Sequence, residues 1–241
     1  MSNILTFGSC LSRYIARSYK RLYSGEIISS VYHNRSDYFV ESFITNVQKP
    51  VDNSTISELA LNHSNADEDS INILENQTLA RCGMHKVDTV ENIFSLIEKN
   101  LYDIIFIDNF MDIAAKLSHC GDEKVFLRPQ DYTNYSLKYK IGDYISTTKS
   151  VESFNLIIDY FKKRNPKAKI FFFHFPWNTY ENDEQRKKRS LSFFNEFIRD
   201  DIFIIPPQNV PKIYRTGVSS HFEEPQYTAY AGMVHALINY K

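Results

Sequence analysis

A glycine, a hydroxyl and a thiol stand together near the start of the chain in Phe7-Gly8-Ser9-Cys10, and an imidazole stands far downstream in Ser219-Ser220-His221-Phe222. Cysteine and histidine can form a nucleophile and its base: the imidazole takes the thiol proton and the sulfur attacks an acyl carbonyl. Gly8 permits a sharp turn after a short apolar run. Cys10 then falls at the start of a helical pattern, where unpaired N–H groups favour negative charge, so its thiol is expected to ionise more readily than a free one. Ser9 is the substitute nucleophile should Cys10 be a small buried hydrophobe. His221, just ahead of a last helical pattern, is either the base or a helix-capping or surface histidine. Asn109, in Asp108-Asn109-Phe110, offers an amide to a developing oxyanion or a cap to the helix that follows.

Other residues invite weaker readings. His174, in Phe173-His174-Phe175-Pro176-Trp177, would line a substrate pocket or serve as a structural histidine. Arg35 could grip a carboxylate or phosphate with its planar fork, or be a solvated loop arginine. The run Arg186-Lys187-Lys188-Arg189 has Glu181, Asp183 and Glu184 nearby, and reads as a solvated helix face rather than a phosphate site. No Walker A, GxGxxG or HExxH pattern is present, and Cys10, Cys82 and Cys120 lack metal-ligand or disulfide spacing. No metal and no tightly bound cofactor is expected.

The elements that must position these groups alternate. Strands are expected at 3–7, 26–31, 102–107, 169–173 and 202–205, and helices at 10–23, 90–99, 149–164, 181–199 and 225–239. An aromatic, helix-like stretch covers 38–47. Residues 124–127 and 139–141 could pair as a small hairpin. Residues 50–82 form a polar excursion with short helical patterns at 55–63 and 69–80, too poor in apolar residues for a core of its own. The continuously apolar strands suit a parallel sheet covered on both faces. The pattern predicts one α/β domain over residues 1–241, a three-layer α/β/α sandwich with a mostly parallel, flavodoxin-like sheet. Ligands in such sheets bind at the carboxyl ends of the strands, so the loops after Gly8, His33, Asp108, His174 and Pro206 matter most.

With 241 residues and a formal charge of −1, the chain offers no general attraction to nucleic acid or anionic membrane. No segment approaches the roughly 18 apolar residues of a membrane span. Without a signal-peptide pattern, and with an odd cysteine count, a reduced cytoplasmic setting is expected. The 16 Tyr and 18 Phe suit either an aromatic core or loops that bind sugars.

Phe-Gly-Ser-Cys after the first strand resembles the first block of the SGNH/GDSL hydrolase superfamily, with Gly-Ser-Cys in place of Gly-Asp-Ser. It is similar to the opening of GSCFA-type domains and capsule-polysaccharide acetyltransferase-like proteins. Asp108-Asn109-Phe110 resembles the third block, which implies a substrate- or oxyanion-binding part for Asp108 beside Asn109, and His221, with Tyr227 and Tyr230 behind it, resembles the last. The resemblance implies Cys10 as nucleophile, His221 as base, and Asn109 with a backbone N–H near Cys10 as oxyanion donors. A backbone N–H of Asn34-Arg35-Ser36-Asp37 would serve at the second block. Val218 stands where the family has the carboxylate that orients the base, so Glu223, Glu224 or a backbone carbonyl would take that part. The implied function is acyl transfer at a carbohydrate hydroxyl, by an O-acetyltransferase of surface-polysaccharide assembly with acyl-CoA as co-substrate. An O-acyl esterase and a non-catalytic glycan- or partner-binding protein are the alternatives.

Overall fold

The computed structural model describes residues 1–52, 54–55, 73–78, 93–99, 101–127, 138–180, 182–218 and 220–239. In chain order these form β1 (Ser2–Gly8), α1 (Cys10–Tyr23), β2 (Gly25–Tyr32) and α2 (Ser36–Phe39), which continues as a π-helical turn over Val40–Ile44. Next come α3 (Ile93–Lys99), β3 (Ile104–Asp108), α4 (Phe110–Ala114), β4 (Lys116–Cys120), β5 (Glu123–Phe126) and β6 (Lys140–Tyr144). The chain continues with α5 (Thr147–Arg164), β7 (Lys169–Phe173), α6 (Glu184–Glu196), β8 (Phe203–Ile205), a 3-10 turn at Lys212–Tyr214 and α7 (Glu224–Asn239).

Five strands build a wholly parallel sheet in the order β2-β1-β3-β7-β8. This is an α/β fold with helices on both faces of the sheet, as the alternation of elements implied. Successive strand side chains point to opposite faces, and the two cores divide accordingly. Leu5, Phe7, Ile105, Ile107 and Phe172 pack against Phe154, Ile157 and Phe161 of α5 and Phe193 of α6. Ile4, Ile104, Phe106, Phe171 and Phe173 pack against Leu11, Ile15 and Tyr19 of α1 and Tyr230 and Val234 of α7. Burying a side chain of this size stabilises by roughly 1.5–3 kcal/mol, and with both faces covered the strands need no polar side.

The helix ends follow local chemistry. Ser9 caps α1 by accepting from the Leu11 N–H, and Ser24 closes it with a left-handed φ of 63°. Ser146 caps α5 by accepting from the Lys149 N–H, and Asn165-Pro166 ends it.

The hairpin expected between 124–127 and 139–141 does not form. Both segments flank β4 in a second, antiparallel sheet of order β5-β4-β6. Lys116-Leu117-Ser118-His119-Cys120 carries too few apolar residues to be recognised as that central strand. A small cluster of Val51, Leu74, Val125, Leu127 and Tyr139 ties described parts of the polar excursion to this sheet. The helical patterns at 55–63 and 69–80 lie largely outside the described residues.

His174, straight after β7, is fully buried and neither ring nitrogen has a hydrogen-bond partner among the described residues. Its ring packs among Phe172, Phe193, Phe194 and Phe197 at centroid distances of 4.9 to 6.0 Å. It therefore belongs to the core, and does not line a pocket. Burial pushes its pKa down to about 3, so the ring stays neutral in the folded protein. The unfolded chain takes up a proton near the ordinary histidine value, so this residue costs stability as pH falls from about 6.5 toward 3. His174→Phe should remove that loss. Urea denaturation at pH 5 and 7.5 should show the variant gaining on the parent at the lower pH, by up to about 1.4 kcal/mol per pH unit.

Candidate active site

The parallel sheet reverses its winding between β1 and β3, because β2 lies outside β1 while β7 and β8 lie beyond β3. At such a switch point the connections leave in opposite directions and open a crevice at the carboxyl ends of the strands. Gly8-Ser9-Cys10 leaves β1 there, and Asp108-Asn109 leaves β3 beside it, with Phe7 and Ile107 in register.

Asp108 organises the turn. Its buried carboxylate accepts from the Ser9 N–H at 2.8 Å, the Ser12 N–H at 2.9 Å, the Ser9 hydroxyl at 2.8 Å and the Phe110 N–H at 3.1 Å. Gly8 has a φ of 139°, and a Cβ there would come within 2.6 Å of the same carboxylate. Glycine is required both by the backbone and by the close approach of Asp108. Asp108 was expected to bind substrate or help at the oxyanion; its oxygens are instead committed to the turn that carries Cys10.

Cys10 is the first residue of α1 and 8% exposed. Its sulfur lies 3.2 Å from Nε2 of His221. The chain holding His221 is closed on itself: Arg215 bridges Phe222, the His221 N–H donates to the Val218 carbonyl, and the Glu223 N–H donates to the Tyr214 carbonyl. Oγ1 of Thr216 lies within hydrogen-bond distance of the Val218 and His221 carbonyls. Tyr14 meets the imidazole edge to face, 5.9 Å between centroids, and packs on Tyr227 at 5.1 Å. Burial raises the Tyr227 pKa, and its hydroxyl accepts from the Phe222 N–H. Tyr14 was missed by sequence reading, although its place one turn after Cys10 puts both on one helix face.

Neither glutamate considered as an orienting carboxylate holds the ring. Glu224 takes Arg21 and the Ser18 hydroxyl, and Glu223 is exposed and makes no side-chain hydrogen bond among the described residues. The Val218 side chain is 53% exposed.

Asn109 is fully buried and does not cap α4 with its side chain. Its Oδ1 accepts from the Phe175 N–H at 2.9 Å, and Nδ2 has no partner among the described residues. A backbone N–H can only donate, which assigns the oxygen to Phe175 and leaves the amide hydrogens available. The N–H groups of Ser9, Leu11 and Ser12 are occupied by Asp108 and by Ser9 itself.

The second loop differs more from expectation. Arg35 is buried and forks onto Asp37 through two bonds of 2.7 Å, with a third to the Asp143 carbonyl. It is neither solvated nor available to an anion. The Ser36 N–H and hydroxyl both go to Asp112, which also takes the Ser150 hydroxyl, so the Ser36 N–H cannot donate to an oxyanion. Burial, with Asp37 nearby, pushes the Asp112 carboxyl up to about 6. Ser9, the substitute nucleophile, donates its hydroxyl hydrogen bond to Asp108 and caps α1, so it works as scaffold. Of the basic run, Arg186 pairs with Asp183 and Lys187 with Glu184, while Arg186 and Arg189 lie over Tyr180 and Tyr144.

Among the described residues no group of histidines, cysteines and carboxylates is placed to hold a metal ion, and no helix is long and apolar enough to cross a membrane. Cys82 lies outside the described residues.

No family model and no curated protein matches the chain. Among solved structures it is similar to a lipase from a goat rumen metagenome, at 11% identity over 98% of this chain and 97% of that one, TM-score 0.47. It is also similar to a carbohydrate esterase family 2 enzyme with a carbohydrate-binding domain from Corynascus thermopiles (Myceliophthora fergusii), at 10% identity over 98% of this chain and 65% of that one, TM-score 0.49. A third is an acetyl xylan esterase from the rumen bacterium Butyrivibrio proteoclasticus, at 9% identity over 98% and 63%, TM-score 0.46.

The roles of Ser9 and Asp108 are separable by experiment. Ser9→Ala should cost about 1 kcal/mol through the lost cap and leave Cys10 reactive toward thiol reagents. Asp108→Asn places amide hydrogens against N–H donors already pointing there, and should cost about 3 kcal/mol in urea unfolding.

Proposed function

We propose that this protein is an acyl-transfer enzyme acting at a carbohydrate hydroxyl, with Cys10 as nucleophile and His221 as base. The observation that carries the reading is the 3.2 Å approach of the Cys10 sulfur to His221 Nε2 at the switch point of the sheet. Nε2 takes the thiol proton as sulfur attacks the acyl carbonyl carbon. The tetrahedral intermediate places its oxyanion at the Asn109 amide. Collapse breaks the bond to the leaving group, which receives the proton from His221, and leaves a thioester on Cys10. An acceptor hydroxyl then gives its proton to His221 and attacks the thioester, and the sulfur departs as the thiolate and is reprotonated.

The resemblance of Phe7-Gly8-Ser9-Cys10 to capsule-polysaccharide acetyltransferase-like proteins favours an O-acetyltransferase of surface-polysaccharide assembly using acyl-CoA in the cytoplasm. The small exposure of Cys10 is in keeping with a site that keeps water from the thioester. If water is the acceptor, the same residues make an O-acyl esterase.

Iodoacetamide should label Cys10 at least about tenfold faster than Cys82 or Cys120 near neutral pH, and His221→Asn should remove the difference. Equal labelling of all three would reject the pair and favour a binding protein. Asn109→Ala should lower kcat by about 10²–10³ with little change in KM. Release of CoA from acetyl-CoA only when a sugar acceptor is present would identify the transferase. Steady hydrolysis of an aryl acetate without acceptor would identify the esterase.

A further inference from the structure

Beside the catalytic pair lies a cleft of about 460 Å³ between α1 and the chain leading into α7, and His221 forms part of its wall. Tyr14, Arg17, Ser18 and Arg21 line it from α1. Cys10 and Arg17 are seven residues apart, so they share one stripe of the helix about 10 Å apart along its axis. The charges on the walls do not balance. Glu224 is held by Arg21 and Ser18, so its carboxylate offsets Arg21 alone. Arg17 is exposed and has no ion pair or hydrogen bond among the described residues, whereas Arg21, Arg35, Arg186 and Arg199 each hold a carboxylate. Its guanidinium stands 5.6 Å from the centroid of the Tyr14 ring, the ring that also packs on His221. Resting on an aromatic face restrains a guanidinium while leaving N–H donors at its edge free for a planar anion.

We infer that this cleft is an oxyanion-recognition subsite, in which Arg17 binds a carboxylate or phosphate of the substrate while the acyl group lies at Cys10. The inference rests on the acyl-transfer reading and narrows it to acidic substrates. The anion can come from the sugar, as a carboxylate or phosphate substituent, or from the acyl donor, as the phosphates of an acyl-CoA. Either would lie along α1 at a fixed reach from the sulfur.

Two pairs of substrates distinguish the sources: an O-acetylated methyl glucuronide against the matching glucoside, and acetyl-CoA against the neutral acetyl thioester of N-acetylcysteamine. In at least one pair the charged member should be preferred about tenfold in kcat/KM, the difference lying in KM. Arg17→Gln should bring that ratio close to one, while Lys20→Gln, a charge loss on the same helix outside the cleft, should leave it in place. No preference in either pair, or one that survives Arg17→Gln, overturns the subsite. If no substrate is turned over faster than by Cys10→Ala, the acyl-transfer reading fails, and binding alone decides the subsite. Inorganic phosphate and glucuronate are then titrated into protein with ¹⁵N-labelled arginine. A saturable shift of one side-chain resonance, absent from Arg17→Gln, supports it; no saturable shift with either probe overturns it.

Discussion

One buried carboxylate governs the geometry of this protein's crevice. Asp108 stands at the end of β3 and gathers N–H and O–H donors from the turn after β1 and the N–H of Phe110 from its own turn. A carboxylate inside a fold with no cation beside it must take its hydrogen bonds from protein dipoles. Here that requirement fixes the start of α1 against β3. The same carboxylate crowds Gly8, so the turn can be made by no other residue without displacement of one strand end. The direction in which Cys10 leaves the sheet follows from this contact.

The imidazole reaches Cys10 by a different route. α7 packs beside α1 on the second face of the sheet, and Tyr227, Tyr230 and Val234 fill the gap with Ile15 and Tyr19. That packing brings the closed loop ahead of α7 over the N-terminus of α1. Tyr14 then fixes the ring by its edge-to-face contact. The approach of sulfur and imidazole is thus a by-product of apolar packing behind them, while polar bonds set only the local aim. A weaker α1–α7 interface would separate sulfur and imidazole without touching either residue.

Much of the fold was legible in the sequence because its signals are local. The apolar runs of β1, β3 and β7 are buried on both faces and show no alternation, which is the mark of a covered parallel sheet. Asn165-Pro166 announces the end of α5 by chemistry confined to two residues. β4 escaped notice because Leu117 is its only large apolar residue, and its strand character depends on β5 and β6. In the second loop, Arg35 looks like a free cation until Asp37 and the Asp143 carbonyl are placed around it. His174 looks like a site residue until the phenyl rings of α6 close over it.

By itself the sequence determined the order of the parallel-sheet strands and the long helices between them, the glycine turn before Cys10, and the identity of the thiol, amide and imidazole worth considering. Those features depend on residue type and on neighbours a few positions away. Tertiary structure alone decided which groups meet: Cys10 with His221, Ser9 with Asp108, Ser36 with Asp112, and Arg17 with a cleft instead of any carboxylate among the described residues. Such pairings join residues dozens to hundreds of positions apart, and they are set by how the helices pack on the two faces of the sheet, which no short stretch of chain encodes.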